Sequence, residues 1–201
     1  MKFYRFFLFV ISLFITSCSI PSIEVEVDYY IKEMLEELPE EMNGTAPAPA
    51  ASHLFDMDET AETLPNYLAD LYLHNTAKLL FLCKRARPDL QTAVSFLCTR
   101  VKKPDVDDYK KLCLTMRYLQ GSLHVPLTLE AENVQIIKWW VDASYAVHPD
   151  MKSHTGGVMS FGTGGIICKS SKQKLNTKSS TEAELVGASD YLPNVMWVKM
   201  F

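Results

Sequence analysis

The chain has 201 residues, with 20 lysines and arginines against 24 aspartates and glutamates, a formal net charge of −4 and 48% hydrophobic residues. That balance excludes wholesale disorder and leaves room for one or two small domains. It also excludes a polycation, so a nucleic-acid partner must rest on a local basic patch or on a metal site.

Residues 1–20 carry Lys2 and Arg5, then an apolar run over 6–15 broken only by Ser12, then Thr16-Ser17-Cys18-Ser19. This is the layout of a signal peptide or short signal anchor. The run is too short for a comfortable membrane span of about 20 apolar residues. Export would turn Asn43-Gly44-Thr45 into a glycosylation sequon. The cysteines point the other way. Cys18, Cys83, Cys98, Cys113 and Cys168 are odd in number and contain no C-x-x-C pair. They are neither a disulfide framework nor a zinc signature, and read as buried free thiols in a reducing compartment.

Residues 24–42 are acidic, with Tyr30, Ile31, Met34, Leu35 and Leu38 at helical spacing and Pro39 as the stop. Residues 45–51 form a Pro/Ala linker that cannot hold a helix. From Tyr67 the spacing of Leu68, Leu71, Tyr72, Leu79 and Leu82 predicts a helix, broken at Pro88. A second follows from Asp89, with Leu90, Ala93, Val94 and Leu97 inside, and ends before Pro104. A third runs from Asp107 to Gly121. A short strand at 127–129 precedes strand-like stretches over 136–146, 156–162 and 166–170, with Gly162, Gly164 and Gly165 turning a tight hairpin. A closing helix over 177–201 carries Leu185, Ala188, Leu192, Val195 and Met196 on one face.

Asp142 follows the apolar run Trp139-Trp140-Val141. A carboxylate there is costly unless paired or bound to a cation; the plainer reading is a surface carboxylate at a strand end. Glu184 alters the balance. It sits at the edge of the apolar helix face, from which it can point over the sheet toward Asp142. Glu182 lies on the other side of that helix and suits a capping box with Ser179. Two carboxylates with oxygen-bearing neighbours suit Mg²⁺, which takes few carboxylates and keeps several waters.

The basic residues Lys84, Arg85, Arg87, Arg100, Lys102, Lys103, Lys110 and Lys111 either track phosphates or complement helix ends. Lys169, Lys172, Lys174 and Lys178 are better placed to meet a nucleic-acid substrate. His148 and His154 lack a third ligand and read as ordinary loop residues. Trp139 and Trp140 face opposite sides of a strand.

Six segments in order carry a family resemblance. They are Lys84-Arg85-Ala86-Arg87-Pro88-Asp89-Leu90, Met116-Arg117-Tyr118-Leu119-Gln120-Gly121, Val141-Asp142-Ala143-Ser144-Tyr145, Ser153-His154-Thr155-Gly156-Gly157 with Ser171-Lys172-Gln173-Lys174, and Ser179-Ser180-Thr181-Glu182-Ala183-Glu184-Leu185. Over roughly 170 residues the chain resembles the C-terminal part of a copia-type retrotransposon polyprotein. The resemblance implies the helical end of a reverse transcriptase region followed by the start of a ribonuclease H domain. It implies two-metal Mg²⁺ hydrolysis of the RNA strand of an RNA–DNA hybrid. Asp142 would be the first ligand, bridging both metals, and Glu184 the second. Asp190 lies in the same helix and reads as surface.

Two departures qualify it. No Tyr-x-Asp-Asp turn is present, and Asp107-Asp108-Tyr109 has the wrong order. The later acidic residues of ribonuclease H would lie beyond Phe201, and the apolar N-terminus stands where polymerase sequence is expected.

The expected fold is α+β: a small helical module, then an incomplete ribonuclease H-like mixed sheet with one helix. The expected units are 1–20 signal-like, 21–66 acidic helix and linker, 67–126 reverse transcriptase end, and 127–201 truncated ribonuclease H-like. Function is expected to be that of a reverse transcriptase/ribonuclease H segment, inactive alone. The alternative is a non-enzymatic retroelement remnant with weak nucleic-acid binding. Partners are an RNA–DNA hybrid and the rest of a polyprotein, within the cell; a membrane or export enters only if residues 1–20 are a genuine signal.

Overall fold

The computed structural model describes residues 22–200, so expectations for residues 1–20 lie outside it. Four helices come first: α1 Asp28–Glu36, α2 Asn66–Arg85, α3 Gln91–Arg100 and α4 Val106–Gly121. Their apolar stripes meet in one core built on Ile31, Met34, Leu79, Leu82, Leu90, Val94, Leu97, Leu112, Met116 and Leu119. Burying such side chains stabilises by roughly 1.5–3 kcal/mol each, which makes this module the main store of hydrophobic stability.

Local chemistry sets the helix ends. Asp105 caps α4: its carboxylate accepts the Asp108 N–H at 2.8 Å, while Asp108 accepts the Asp105 N–H at 3.1 Å. Arg100 clamps both carboxylates from α3, at 2.9 Å to Asp108 and 3.1 Å to Asp105. Pro88 opens a single 3₁₀ turn, Pro88–Leu90, that redirects the chain from α2 into α3. Tyr72 then ties α2 to α3, its hydroxyl donating to the Leu97 carbonyl at 3.0 Å.

Arg87, at 1% exposure, is the largest polar side chain in this interior. It donates to Asp89 at 2.8 Å, to the Ser122 carbonyl at 2.8 Å and to the Ser122 hydroxyl at 2.7 Å. Burial disfavours ionisation of Asp89, but the Arg87 and Tyr118 hydrogen bonds outweigh it and hold the carboxyl below its ordinary range. Arg87, Arg100 and Lys111 are therefore committed inside the fold. Lys111 pairs with Asp107 at 2.9 Å, lies 4.7 Å over the Phe96 ring and donates to the Asp56 carbonyl. These three residues follow neither reading of the basic helix ends, being spent on carboxylates within the fold.

The Pro/Ala segment is helix-free and bent, and does not hang free. Thr115 donates to the Pro49 carbonyl at 2.9 Å, Gln120 accepts the Gly44 N–H at 2.9 Å, and Arg117 donates to the Glu41 carbonyl at 2.7 Å. Leu64 and Val106 exchange backbone bonds with Pro104 and Glu62, each at 3.0 Å. The linker is strapped along α4.

Six strands make two three-stranded sheets: β1 Ile23–Val25, β2 Leu127–Ala131, β3 Lys138–Ser144, β4 His154–Ser160, β5 Gly162–Thr163 and β6 Ile167–Lys172. One sheet runs β1-β2-β5 and the other β3-β4-β6. Every pairing is antiparallel, so the expected mixed sheet is not what forms among the described residues. A parallel pair would need a long crossover, whereas β3, β4 and β6 are joined by short loops. The glycine turn also differs. Gly162 leaves the hairpin to pair with Ala131, and Gly164 supplies the positive φ of +73° that re-aims the chain into β6. A final helix, α5 Ser180–Lys199, lies across β3 and β4. No described helix is long and apolar enough to cross a membrane.

Candidate metal and nucleic-acid site

The residues singled out at β3 and α5 come together around one contact. Ser179 caps α5, its hydroxyl accepting the Glu182 N–H at 3.2 Å. Glu182 does not close a capping box; it accepts the Lys178 N–H at 2.7 Å instead. One turn on, the Glu184 carboxylate reaches β3 and accepts the Ala143 N–H at 3.1 Å. Ala143 is the neighbour of Asp142.

Two glycines allow α5 to lie this close. A β-carbon at Gly187 would press on Thr155 and Val141, and one at Gly157 would collide with the Tyr191 ring. Tyr191 itself is buried and donates to the Gly157 carbonyl. Gln173, 3% exposed, locks the start of α5 by donating to the Thr155 hydroxyl and the Ala183 carbonyl, both at 2.8 Å. The Ser171-Lys172-Gln173-Lys174 segment thus has a structural purpose that the sequence alone did not expose.

Val141, Thr155 and Gly157 face α5, so strand alternation turns Asp142 to the other face. In that row Asp142 stands beside Gly156 and then Ser170. A side chain at Gly156 would meet nothing within 4 Å, which leaves open space next to Asp142. Asp142 is exposed, and its carboxylate makes no hydrogen bond or ion pair with another described residue. Glu184 is half-buried. Glu184 approaches β3 from the α5 side, whereas Asp142 takes the opposite face, so Glu184 reaches the Ala143 backbone rather than the Asp142 carboxylate. Both offer oxygen, the donor type that Mg²⁺ takes, and the open space lies on the Asp142 side. Among the described residues, no group of three or more His, Cys, Asp or Glu side chains is placed to hold a metal ion.

The lysines divide. Lys169 donates to Asn194 at 2.7 Å and lies 5.6 Å over the Tyr191 ring, on the α5 side of the sheet. Lys172 pairs with Asp150 at 2.7 Å. Lys174 and Lys178 are exposed. Asp190 is exposed on α5.

His148 and His154 are not ordinary loop residues. They are 3% and 5% exposed, and their rings hydrogen-bond at 3.0 Å, His148 Nε2 to His154 Nδ1. His154 Nε2 bonds the Ser170 hydroxyl at 2.6 Å, and Ser170 bonds Thr92 of α3 at 3.2 Å. Phe55 from the strapped linker closes over both rings at 4.9 and 5.0 Å. Burial pushes both imidazoles down to about 4, with Lys172 adding to the effect on His148. They are a neutral pair joining sheet, linker and helices. Six-residue spacing across a loop gave no sign of this, because the loop doubles back through Ala146 and Met151, both at positive φ.

Comparison with known proteins agrees with this arrangement of segments. The chain is 28% identical over 177 residues to the retrovirus-related Pol polyprotein from transposon TNT 1-94 of Nicotiana tabacum, covering 86% of this chain and 13% of that protein. It is 31% identical over 113 residues to the Pol polyprotein from transposon RE2 of Arabidopsis thaliana, covering 56% of this chain and 8% of that protein. This chain is a relative of the copia-type retrotransposon polyproteins. It is also 27% identical over 128 residues to secreted RxLR effector protein 161 of Plasmopara viticola, covering 63% of this chain and 90% of that protein. No family model matches the chain. No solved structure matches it either. Its segments correspond to a small share of the Pol polyproteins, so their activities as whole proteins are not transferred with the similarity.

Proposed function

We propose that this polyprotein relative belongs to the reverse transcriptase and ribonuclease H region, with Asp142 and Glu184 as Mg²⁺ ligands that face an RNA–DNA hybrid. The observation that carries the reading is the Glu184 carboxylate held at 3.1 Å from the Ala143 N–H, one residue from an unpaired Asp142. The Pol polyprotein similarity supports it from outside the structure.

The chain's own residues do three things in this reading. The Ala143 N–H orients Glu184 at the strand. Asp142 keeps its carboxylate free beside the gap at Gly156. Exposed Lys174 and Lys178 lie in the turn before α5, where they attract phosphates independently of base sequence. Asp142 and Glu184 would be the residues to hold Mg²⁺, which would supply the charge that activates a water and steadies the leaving oxygen of a phosphodiester. Two carboxylates make a thin ligand set, so further ligands come from other polyprotein segments, and turnover by this chain alone is expected to be slow or absent.

Purified chain incubated with a labelled RNA–DNA hybrid tests this. Mg²⁺-dependent cleavage that falls at least about 100-fold in Asp142→Asn supports a catalytic site. Salt-sensitive hybrid binding without cleavage supports the non-enzymatic remnant if that binding is unchanged by Mg²⁺ and by Asp142→Asn, and supports the metal reading if Mg²⁺ strengthens it and Asp142→Asn abolishes the gain. Neither binding nor cleavage refutes the nucleic-acid reading.

A second reading has its own observation. The secreted effector similarity spans 90% of that relative, and residues 1–20 of this chain have a signal-like layout. In this reading the same fold is exported, and Asn43, exposed after a short 3₁₀ turn, accepts a glycan. Expression in a secretory host separates the two: a cleaved, glycosylated product that loses its glycan in Asn43→Gln supports export, and an unprocessed intracellular chain refutes it.

A further inference from the structure

The chain holds a single Asn-Gly pair, Asn43-Gly44, at the start of the strapped Pro/Ala segment. Such a pair has a chemistry of its own. The glycine nitrogen has no β-carbon beside it to shield it, and it can close a five-membered ring with the asparagine side chain. Once that nitrogen loses its proton it attacks the asparagine Cγ. A C–N bond forms, the carboxamide nitrogen leaves as ammonia, and water opens the cyclic imide to aspartate or isoaspartate. Water is the only co-reactant.

In the fold the reacting groups are present but held apart. Asn43 is exposed, and its carboxamide makes no hydrogen bond with another described residue. Gly44 sits at φ +129°, a region that favours glycine. Its N–H, the nucleophile, donates to Gln120 Oε1 of α4 at 2.9 Å. On the other side of Asn43, the Glu41 carbonyl accepts from Arg117 of α4 at 2.7 Å. The Asn43 N–H itself donates to the Glu40 carbonyl at 3.0 Å. Ring closure requires the Gly44 nitrogen to eclipse the Asn43 β-carbon about the Cα–C bond. At the observed ψ of 148° an L residue holds the two nearly at right angles. The eclipsed arrangement lies outside the broad β and α regions, so Asn43 does not drift into it while both sides are pinned.

We propose that Asn43-Gly44 is a latent deamidation site, kept shut by the Gln120 hydrogen bond and the extended Asn43 backbone, and reactive when this end of the strap lifts from α4. One movement releases both restraints. Isoaspartate carries an extra main-chain carbon, so Gly44 cannot then return to Gln120 in register. Either product adds a negative charge beside Glu40 and Glu41. The modification records an opening of the strap and makes it permanent. Neither Asp142 nor Glu184 takes part, so the site stands apart from the metal reading.

The test is timed incubation of the full chain at neutral pH, with mass spectrometry of the peptide that holds residue 43. The folded parent is expected to form aspartate and isoaspartate at least about tenfold more slowly than the same chain unfolded in urea, because reaction waits on a local opening. Gln120→Met removes the acceptor and is expected to speed the folded chain about fivefold, the worth of one hydrogen bond. Gln120→Glu keeps an acceptor and is expected to hold the parent rate. Hydrogen exchange at the Gly44 N–H reads the opening directly and is expected to rise with deamidation in Gln120→Met. The comparison of folded with unfolded parent needs no variant, so it decides the matter even if Gln120→Met fails to fold. Equal rates in folded and unfolded parent overturn the proposal. So does a folded Gln120→Met that exchanges faster at Gly44 without deamidating faster.

Discussion

The buried histidine pair makes stability depend on pH between 7 and 5. Both imidazoles sit near 4 in the fold because burial disfavours the cation, against about 6.5 in an unfolded chain. The unfolded state therefore binds protons first as the pH falls. Stability is fully present above about 6.5 and is lost as pH drops toward 4. Between pH 7 and pH 5, the linkage gives a loss of about 2 kcal/mol for each histidine and roughly 4 for the pair. That is a large part of the total for a domain of ordinary stability. The double variant His148→Gln/His154→Gln removes the titration while keeping hydrogen-bonding side chains. Urea unfolding of both proteins at pH 7, 6 and 5 measures the effect. The parent is expected to lose about 4 kcal/mol more than the double variant over that range. Parallel curves would refute the reasoning, because they would place the imidazoles in water or in a charged state at neutral pH.

Other substitutions test the supports of the fold. Arg87→Met removes the guanidinium that holds Asp89 and Ser122 and is expected to cost about 3 kcal/mol by leaving Asp89 without its cation, read by urea denaturation. Arg87→Lys is expected to recover little of that, since one ammonium cannot replace the planar fork. Gly157→Ala forces the Tyr191 ring off the sheet and should destabilise by about 1–3 kcal/mol, with loss of near-UV tyrosine dichroism as a second readout. Asp105→Ala opens the start of α4 and should lower stability by about 1 kcal/mol, more if Arg100 is left without its second partner.

Much of the helical module was legible because helix signals are local. Pro39, Pro88, Pro104 and Gly121 mark ends, and the leucine spacing within α2, α3 and α4 gives the buried faces. The observed helices begin and end within a few residues of those marks. The positions of β2, β3, β4 and β6 were legible for the same reason, since alternation needs only a short window; β1 was not expected, and β5 falls where a hairpin turn was read. What local pattern does not carry is pairing. Whether β3 meets β4 antiparallel, and that β1 at residues 23–25 joins β2 a hundred residues later, depends on contacts that no window contains. The strapping of the Pro/Ala segment onto α4 is invisible for a related reason: its bonds are made by backbone groups, which every sequence has.

The candidate site was legible in part. Asp142 and Glu184 stood out because carboxylates beside apolar runs are costly, and the fold brings Glu184 to the residue after Asp142. The lysines were less so, because charge alone does not say which side of a sheet a side chain takes; Lys169 is spent on Asn194 and Tyr191. The burial of the two histidines gave no signal, since burial of a polar group in a loop is set by what packs over it.

Manganese titration followed by amide NMR tests the central claim most directly, because a paramagnetic ion broadens only the signals near it. The account predicts early broadening at Ala143, Asp142 and Glu184, abolished in Asp142→Asn and competed by Mg²⁺. Broadening first among Asp58, Glu62 and Asp107, or unchanged broadening in Asp142→Asn, would contradict it.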